Sequence, residues 1–144
     1  EHLRGLPTLT GAKKKECDEM NEIIDFMFPL MEVAAVNGVA SLTENPENAY
    51  LWQFPAAQNL LDAGCKDWNY HGCCLSAVRK KKQRIRSQVE ELFRGRDPNC
   101  RHVHDEHEWD PVKDPVTGRF VYPTRLEAEY TAALVFHIVV ATSY

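Results

Sequence analysis

Three groups of residues have types and spacings that can do chemistry. Glu44-Asn45-Pro46 sets a carboxylate beside an amide. Together these groups can hydrogen-bond the edge of a planar heterocycle, and Pro46 biases Asn45 toward an extended backbone. Arg79 to Arg86 reads RKKKQRIR, with six cations in eight positions. Arg79, Lys80, Lys81, Lys82, Arg84 and Arg86 suit a phosphate backbone, where release of counterions drives binding. Cys100-Arg101-His102-Val103-His104-Asp105-Glu106-His107 places one Cys and three His within eight residues. These are ligand types for tetrahedral Zn2+, and Cys73 or Cys74 can complete the set. The candidate ligands are Cys73, Cys100, His104 and His107. The spacing matches no standard zinc finger, and donors this close in sequence need an unusual loop to converge. Each group also has an ordinary reading: a polar turn, a solvated charged face, a His-rich loop.

Composition and charge weigh these readings. The 144 residues are 44% apolar and 26% charged, as in an average globular protein, which excludes collagenous and low-complexity chains. The formal net charge of −4 excludes a uniformly basic nucleic-acid protein. It does not exclude a local patch. Residues 79–101 carry nine of the seventeen cations for a net charge of +6, and the remainder carries −10. Five Cys fit no disulfide framework. A bond between the adjacent Cys73 and Cys74 would be strained. Reduced thiols are therefore expected, in an intracellular reducing compartment, nucleus or cytoplasm. No charged-then-apolar leader opens the chain. The apolar run TAALVFHIVVATSY (131–144) is shorter than the ~20 residues that span a bilayer. The chain holds no Gly-x-Gly, Gly-x-Ser-x-Gly, His-Glu-x-x-His or Pro-Cys.

The elements that must position these groups follow from periodicity. Residues 1–12 read as an extended lead-in, and 13–144 as a single domain. Apolar steps of three and four predict a helix over 13–36, kinked or divided at Pro29 and stopped by Asn37-Gly38. A short strand over 39–43 follows, which puts Glu44-Asn45-Pro46 at its carboxyl tip, where open α/β sheets bind ligands. A short helix over 56–63 ends at Gly64, and 67–74 can be a strand. Residues 87–93 read as either strand or helix, and 94–110 as a polar loop. Turns at Asp110-Pro111, Asp114-Pro115 and Thr117-Gly118 precede a short strand over 119–122. The last helix is expected over 123–144, with Thr124 as N-cap and Glu127 as its capping-box partner.

In this order, LTENPENAYLW (42–52), YHGCCLSAVRKKKQRIRS (70–87), CRHVHDEHEW (100–109) and TRLEAEY (124–130) resemble a known family. It is the C-terminal half of cytosine-5 DNA methyltransferase-like domains of phage and mobile-element polyproteins. The resemblance implies an α/β fold, the second half of a Rossmann-like methyltransferase sheet. Taken alone, that half is a small α+β domain with one sheet edge exposed. The resemblance also implies that Glu44, in the Glu44-Asn45 pair, holds the ring nitrogen of a flipped cytosine and assists attack at the neighbouring carbon. It assigns Gln83, Arg84 and Arg86 to a Gln/Arg-rich strand motif that contacts DNA and supports the site. A flipped base must be read on its hydrogen-bonding edge while its backbone is held. The Pro-Cys nucleophile loop and the glycine-rich methyl-donor loop of that family are not in this sequence. S-adenosylmethionine therefore enters only with an upstream half. The expected function is a nucleic-acid-binding, catalytically incomplete part of a DNA-methyltransferase-like protein. Its expected partners are DNA and a missing N-terminal half or another protein. A zinc-stabilised interaction module and a structural subunit of a larger assembly are the alternatives.

Overall fold

A computed structural model describes residues 2–94, 99–104, 109–123 and 131–142. Helix α1 (Gly11–Val36) buries Ile24, Phe28 and Met31, spaced four and three apart on one face. It runs as one helix through Pro29, contrary to the expected division. Pro29 and Asp25, whose carbonyl loses its helical donor there, both lie on the exposed side, where water can replace the bond. The helix stops where Asn37-Gly38 predicts. Gly38 takes φ +69°, and its N–H donates to the Ala35 carbonyl at 3.2 Å while that of Val39 donates to Ala34 at 2.8 Å. The lead-in folds back on α1 instead of extending away. Arg4 makes a two-pronged pair with Asp25, at 2.8 and 2.6 Å, and Asn21 donates to the Arg4 carbonyl at 3.0 Å.

Strands β1 (Leu42–Pro46), β2 (Lys66–His71) and β3 (Lys82–Ser87) form one sheet in the order β1-β3-β2. A 3-10 turn (Tyr50–Gln53) and helix α2 (Pro55–Asp62) connect β1 to β2. The strands β1 and β2 run the same way, with β3 antiparallel in the slot between them. The chain is thus a small mixed α+β domain. The parallel neighbours of a Rossmann-like sheet do not occur among the described residues. Glu44-Asn45-Pro46 refines the expectation, because it forms the paired carboxyl end of β1 and not a turn beyond it. Glu44 pairs with Ile85, Asn45 with Arg84 and Pro46 with Gln83. Pro46 fits because β1 is an edge strand and Pro46 is its last residue.

Alternation along the strands divides the sheet into two faces. Thr43, Asn45, Asp67, Asn69, Arg84 and Arg86 share one face by register, on the side of Trp52 and α2. Beyond it lies a core of Ile24, Phe28, Met31, Phe54, Ala57, Leu60 and Cys65. The other face carries Trp68, Tyr70 and Ile85. These pack with Leu75, Leu92 and Leu134 in a second core. A 3-10 turn (Glu90–Phe93) supplies Leu92 and helix α3 (Ala132–Thr142) supplies Leu134. The α3 N-cap is Thr131, whose hydroxyl accepts from Leu134 N–H at 3.2 Å. The expected capping residues Thr124 and Glu127 lie outside the described residues. A short hairpin, β4 (Val112–Lys113) and β5 (Phe120–Val121), turns at Asp114, whose carboxylate accepts from Val116 N–H at 2.8 Å.

Candidate metal centre and cationic strand

The run RKKKQRIR divides by position. Arg86, at its inner end, is 1% exposed and stands in the core. Its guanidinium donates to both oxygens of Asp67, at 2.6 and 2.8 Å, and to the Ala57 carbonyl. It also stands 5.2 Å from the Trp52 ring centroid. A charge so buried is tolerable only with its donors matched. Arg86 was expected among the nucleic-acid contacts, and the fold uses it as an internal tie instead. Arg84 is intermediate. It donates to Asn69 at 3.0 Å, lies 3.4 Å from Asp67 and is likewise 5.2 Å from the Trp52 ring. Trp52 is held by its own N–H, which donates to the Pro46 carbonyl at 2.8 Å.

Arg79, Lys80 and Lys81 lie in the loop between β2 and β3, and Lys82 opens β3 with its side chain 62% exposed. This loop is tied at its base. After the 3-10 turn Gly72–Leu75, Gly72 donates to the Lys81 carbonyl at 2.8 Å and accepts from Ala77 at 3.0 Å. A Cβ at Gly72 would stand 3.2 Å from that of Ala77, so the closure leaves little room for a side chain. Glu47 lies 3.6 Å from Lys82.

Glu44 and Asn45 project to opposite faces of the sheet, so they cannot address one ring together as the sequence reading supposed. Register supplies a different pair. Glu44 pairs with Ile85, and Gln83 pairs with both Pro46 and Tyr70, so Glu44, Gln83 and Tyr70 share one face. Diagonal neighbours in a sheet are within reach of long side chains. The Glu44 Oε1, Gln83 Oε1 and Tyr70 hydroxyl atoms are all buried. A carboxylate, an amide and a phenol thus share one face on adjacent strands.

The third group converges as well. The Sγ and ring-nitrogen atoms of Cys73, Cys100, His102 and His104 lie within 4.8 Å of one another. Cys100 Sγ is 3.0 Å from His104 Nε2 and 3.5 Å from His102 Nδ1. Of the four residues expected as ligands, Cys73, Cys100 and His104 meet. His107 lies outside the described residues, and His102 joins the set. The spacing Cys100-x-His102-x-His104 is the signal that finds it, and the chain bends at His102, whose N–H donates to Cys100 Sγ at 3.3 Å. The intervening Arg101 and Val103 are exposed, Val103 fully. Cys100 is tied to the sheet by its backbone N–H, which donates to His71 Nδ1 at 3.1 Å. Burial, then a hydrogen bond to Cys100, pushes the Cys73 thiol up to about 12. Desolvation raises the Cys100 thiol, but hydrogen bonds from Cys73, His104 and the His102 backbone outweigh it and bring it down to about 6. A divalent cation bound between these sulfurs would displace the protons that they carry. None of the five cysteines is in a disulfide.

No protein-family model, curated protein or solved structure matches this chain. No helix among the described residues is long and apolar enough to cross a membrane.

Proposed function

We propose that this chain is a nucleic-acid-binding part of a DNA-methyltransferase-like protein, without the nucleophile and methyl-donor loops. The observation that carries this reading is the register of β1 on β3. It brings Glu44 and Gln83 together on one face, although they come from the two separate motifs of the family resemblance. The cationic loop leads directly into Gln83. Arg79, Lys80, Lys81 and Lys82 hold the phosphate backbone, and Glu44 and Gln83 offer an acceptor and an amide to the edge of a displaced base. Arg84 and Arg86 support β3 from the opposite face through Asp67 and Trp52. The upstream half that would bring S-adenosylmethionine is the natural protein partner of such a domain.

Binding of a labelled duplex by fluorescence anisotropy tests this reading. The triple reversal Arg79→Glu/Lys80→Glu/Lys81→Glu is expected to abolish binding. Gln83→Ala is expected to keep affinity for a fully paired duplex but lose any preference for one with an unpaired cytosine. Unchanged binding by the triple variant would refute the proposal.

A further inference from the structure

We infer that Cys73, Cys100, His102 and His104 form a Zn2+ site that clips the segment 99–104 to the turn at the base of the cationic loop. This goes beyond the nucleic-acid reading and does not depend on it. The donor set is two thiols and two imidazoles, the composition of structural zinc sites. A tetrahedral ion with Zn–S of ~2.3 Å and Zn–N of ~2.0 Å keeps its donors about 3.3–3.8 Å apart. The donors here lie 4.8 Å apart or less, with Cys100 already 3.0 and 3.5 Å from the two rings. Closure on an ion therefore needs only small side-chain movements.

The surroundings explain why an ion is wanted there. The segment from Cys100 to His104 includes no buried residue, and Val103 is wholly exposed. Apolar burial does not hold it. A backbone bond from Cys100 to His71 ties it to the end of β2. That bond uses His71 Nδ1 as acceptor and holds the ring beside the site. Cys73 sits in the 3-10 turn that begins at Gly72, the residue that closes the loop carrying Arg79, Lys80 and Lys81. An ion shared by Cys73 and the Cys100 segment joins chain positions far apart in sequence and fixes the start of that loop. Four protein donors leave no open coordination position, so the role is structural. Thiolate and imidazole donors in a tetrahedron select Zn2+ over Mg2+ or Ca2+.

The test uses the full chain, stripped by chelator and titrated with Co2+ and then Zn2+ in the absence of nucleic acid. One equivalent of Co2+ is expected to give intense tetrahedral d–d bands with thiolate charge transfer, both removed by one equivalent of Zn2+. Cys73→Ser, Cys100→Ser and His102→Ala should lose this spectrum, and Cys17→Ser should keep it. A weak octahedral spectrum, or a wild-type spectrum in Cys73→Ser, overturns the site. Loss in His107→Ala with none in His102→Ala overturns the ligand set. Should the cysteine variants fail to fold, zinc X-ray absorption on the wild-type chain decides. Two sulfur and two nitrogen neighbours support the site, and any other sulfur count refutes it. Because no nucleic acid is present, failure here leaves the duplex-binding reading standing.

Discussion

Lys80 and Arg86 belong to one cationic run, yet they stand in opposite physical situations. Lys80 is exposed on the loop. Arg86 has lost its water and regained the interaction through Asp67, Ala57 and the Trp52 ring. Removing one partner of a buried pair costs about 3–5 kcal/mol. Asp67 keeps a quarter of its side chain exposed, which places Arg86→Ala at the lower end of that range. Lys80→Ala should stay within about 0.5 kcal/mol of wild type. Urea denaturation of the two variants measures the contrast, and equal midpoints would contradict it. The charge of this run is legible in the sequence; the burial of its inner end is not. Burial depends on which face of β3 meets α2, and on an aspartate nineteen residues away in the chain. His102 shows the converse case. Its alternation with Cys100 and His104 is visible in the sequence, but a compact His-rich stretch conceals which rings converge.

Helix α1 shows the same separation one level up. Phe26 and Phe28 are two positions apart, and the helical turn of 100° per residue sends them to different sides. Phe28 is 0% exposed, packed toward α2, and Phe26 is 71% exposed. Phe28→Ala is expected to cost about 3–5 kcal/mol, and Phe26→Ala no more than about 0.5 kcal/mol. Thermal or urea unfolding measures both, and a large loss at Phe26 would show that its face is covered. Helix positions were readable because periodicity and the Asn37-Gly38 and Gly64 stops are local signals. Gly64, at φ +91°, ends α2 as Gly38 ends α1. The strands were less readable. Glu44-Asn45-Pro46 looks like a turn in the sequence because its pairing partner, Gln83 to Ile85, is remote. Only that pairing makes it an edge strand. The helix is not divided at Pro29 for a related reason, since tertiary packing of the opposite face holds it through one missing bond.

At the scale of the whole molecule, the sheet separates two cores and gathers two chemistries at one end. Cations precede β3, buried polar groups lie where β3 meets β1 and β2, and the Cys/His cluster closes over the turn after β2. Charge segregation, legible from composition along the chain, is the property that most directly concerns a polyanion. The cationic loop Arg79–Lys82 can neutralise up to four phosphates. Each neutralised phosphate adds about −0.9 to the slope of log affinity against log salt concentration. The decisive measurement is therefore a duplex-binding titration of the full chain across a salt series, with wild type beside the Arg79→Glu/Lys80→Glu/Lys81→Glu variant. The account predicts a steep negative slope of about −3 to −4 for wild type, with binding lost in the variant. A salt-independent affinity, or a variant that keeps the wild-type slope, would contradict it.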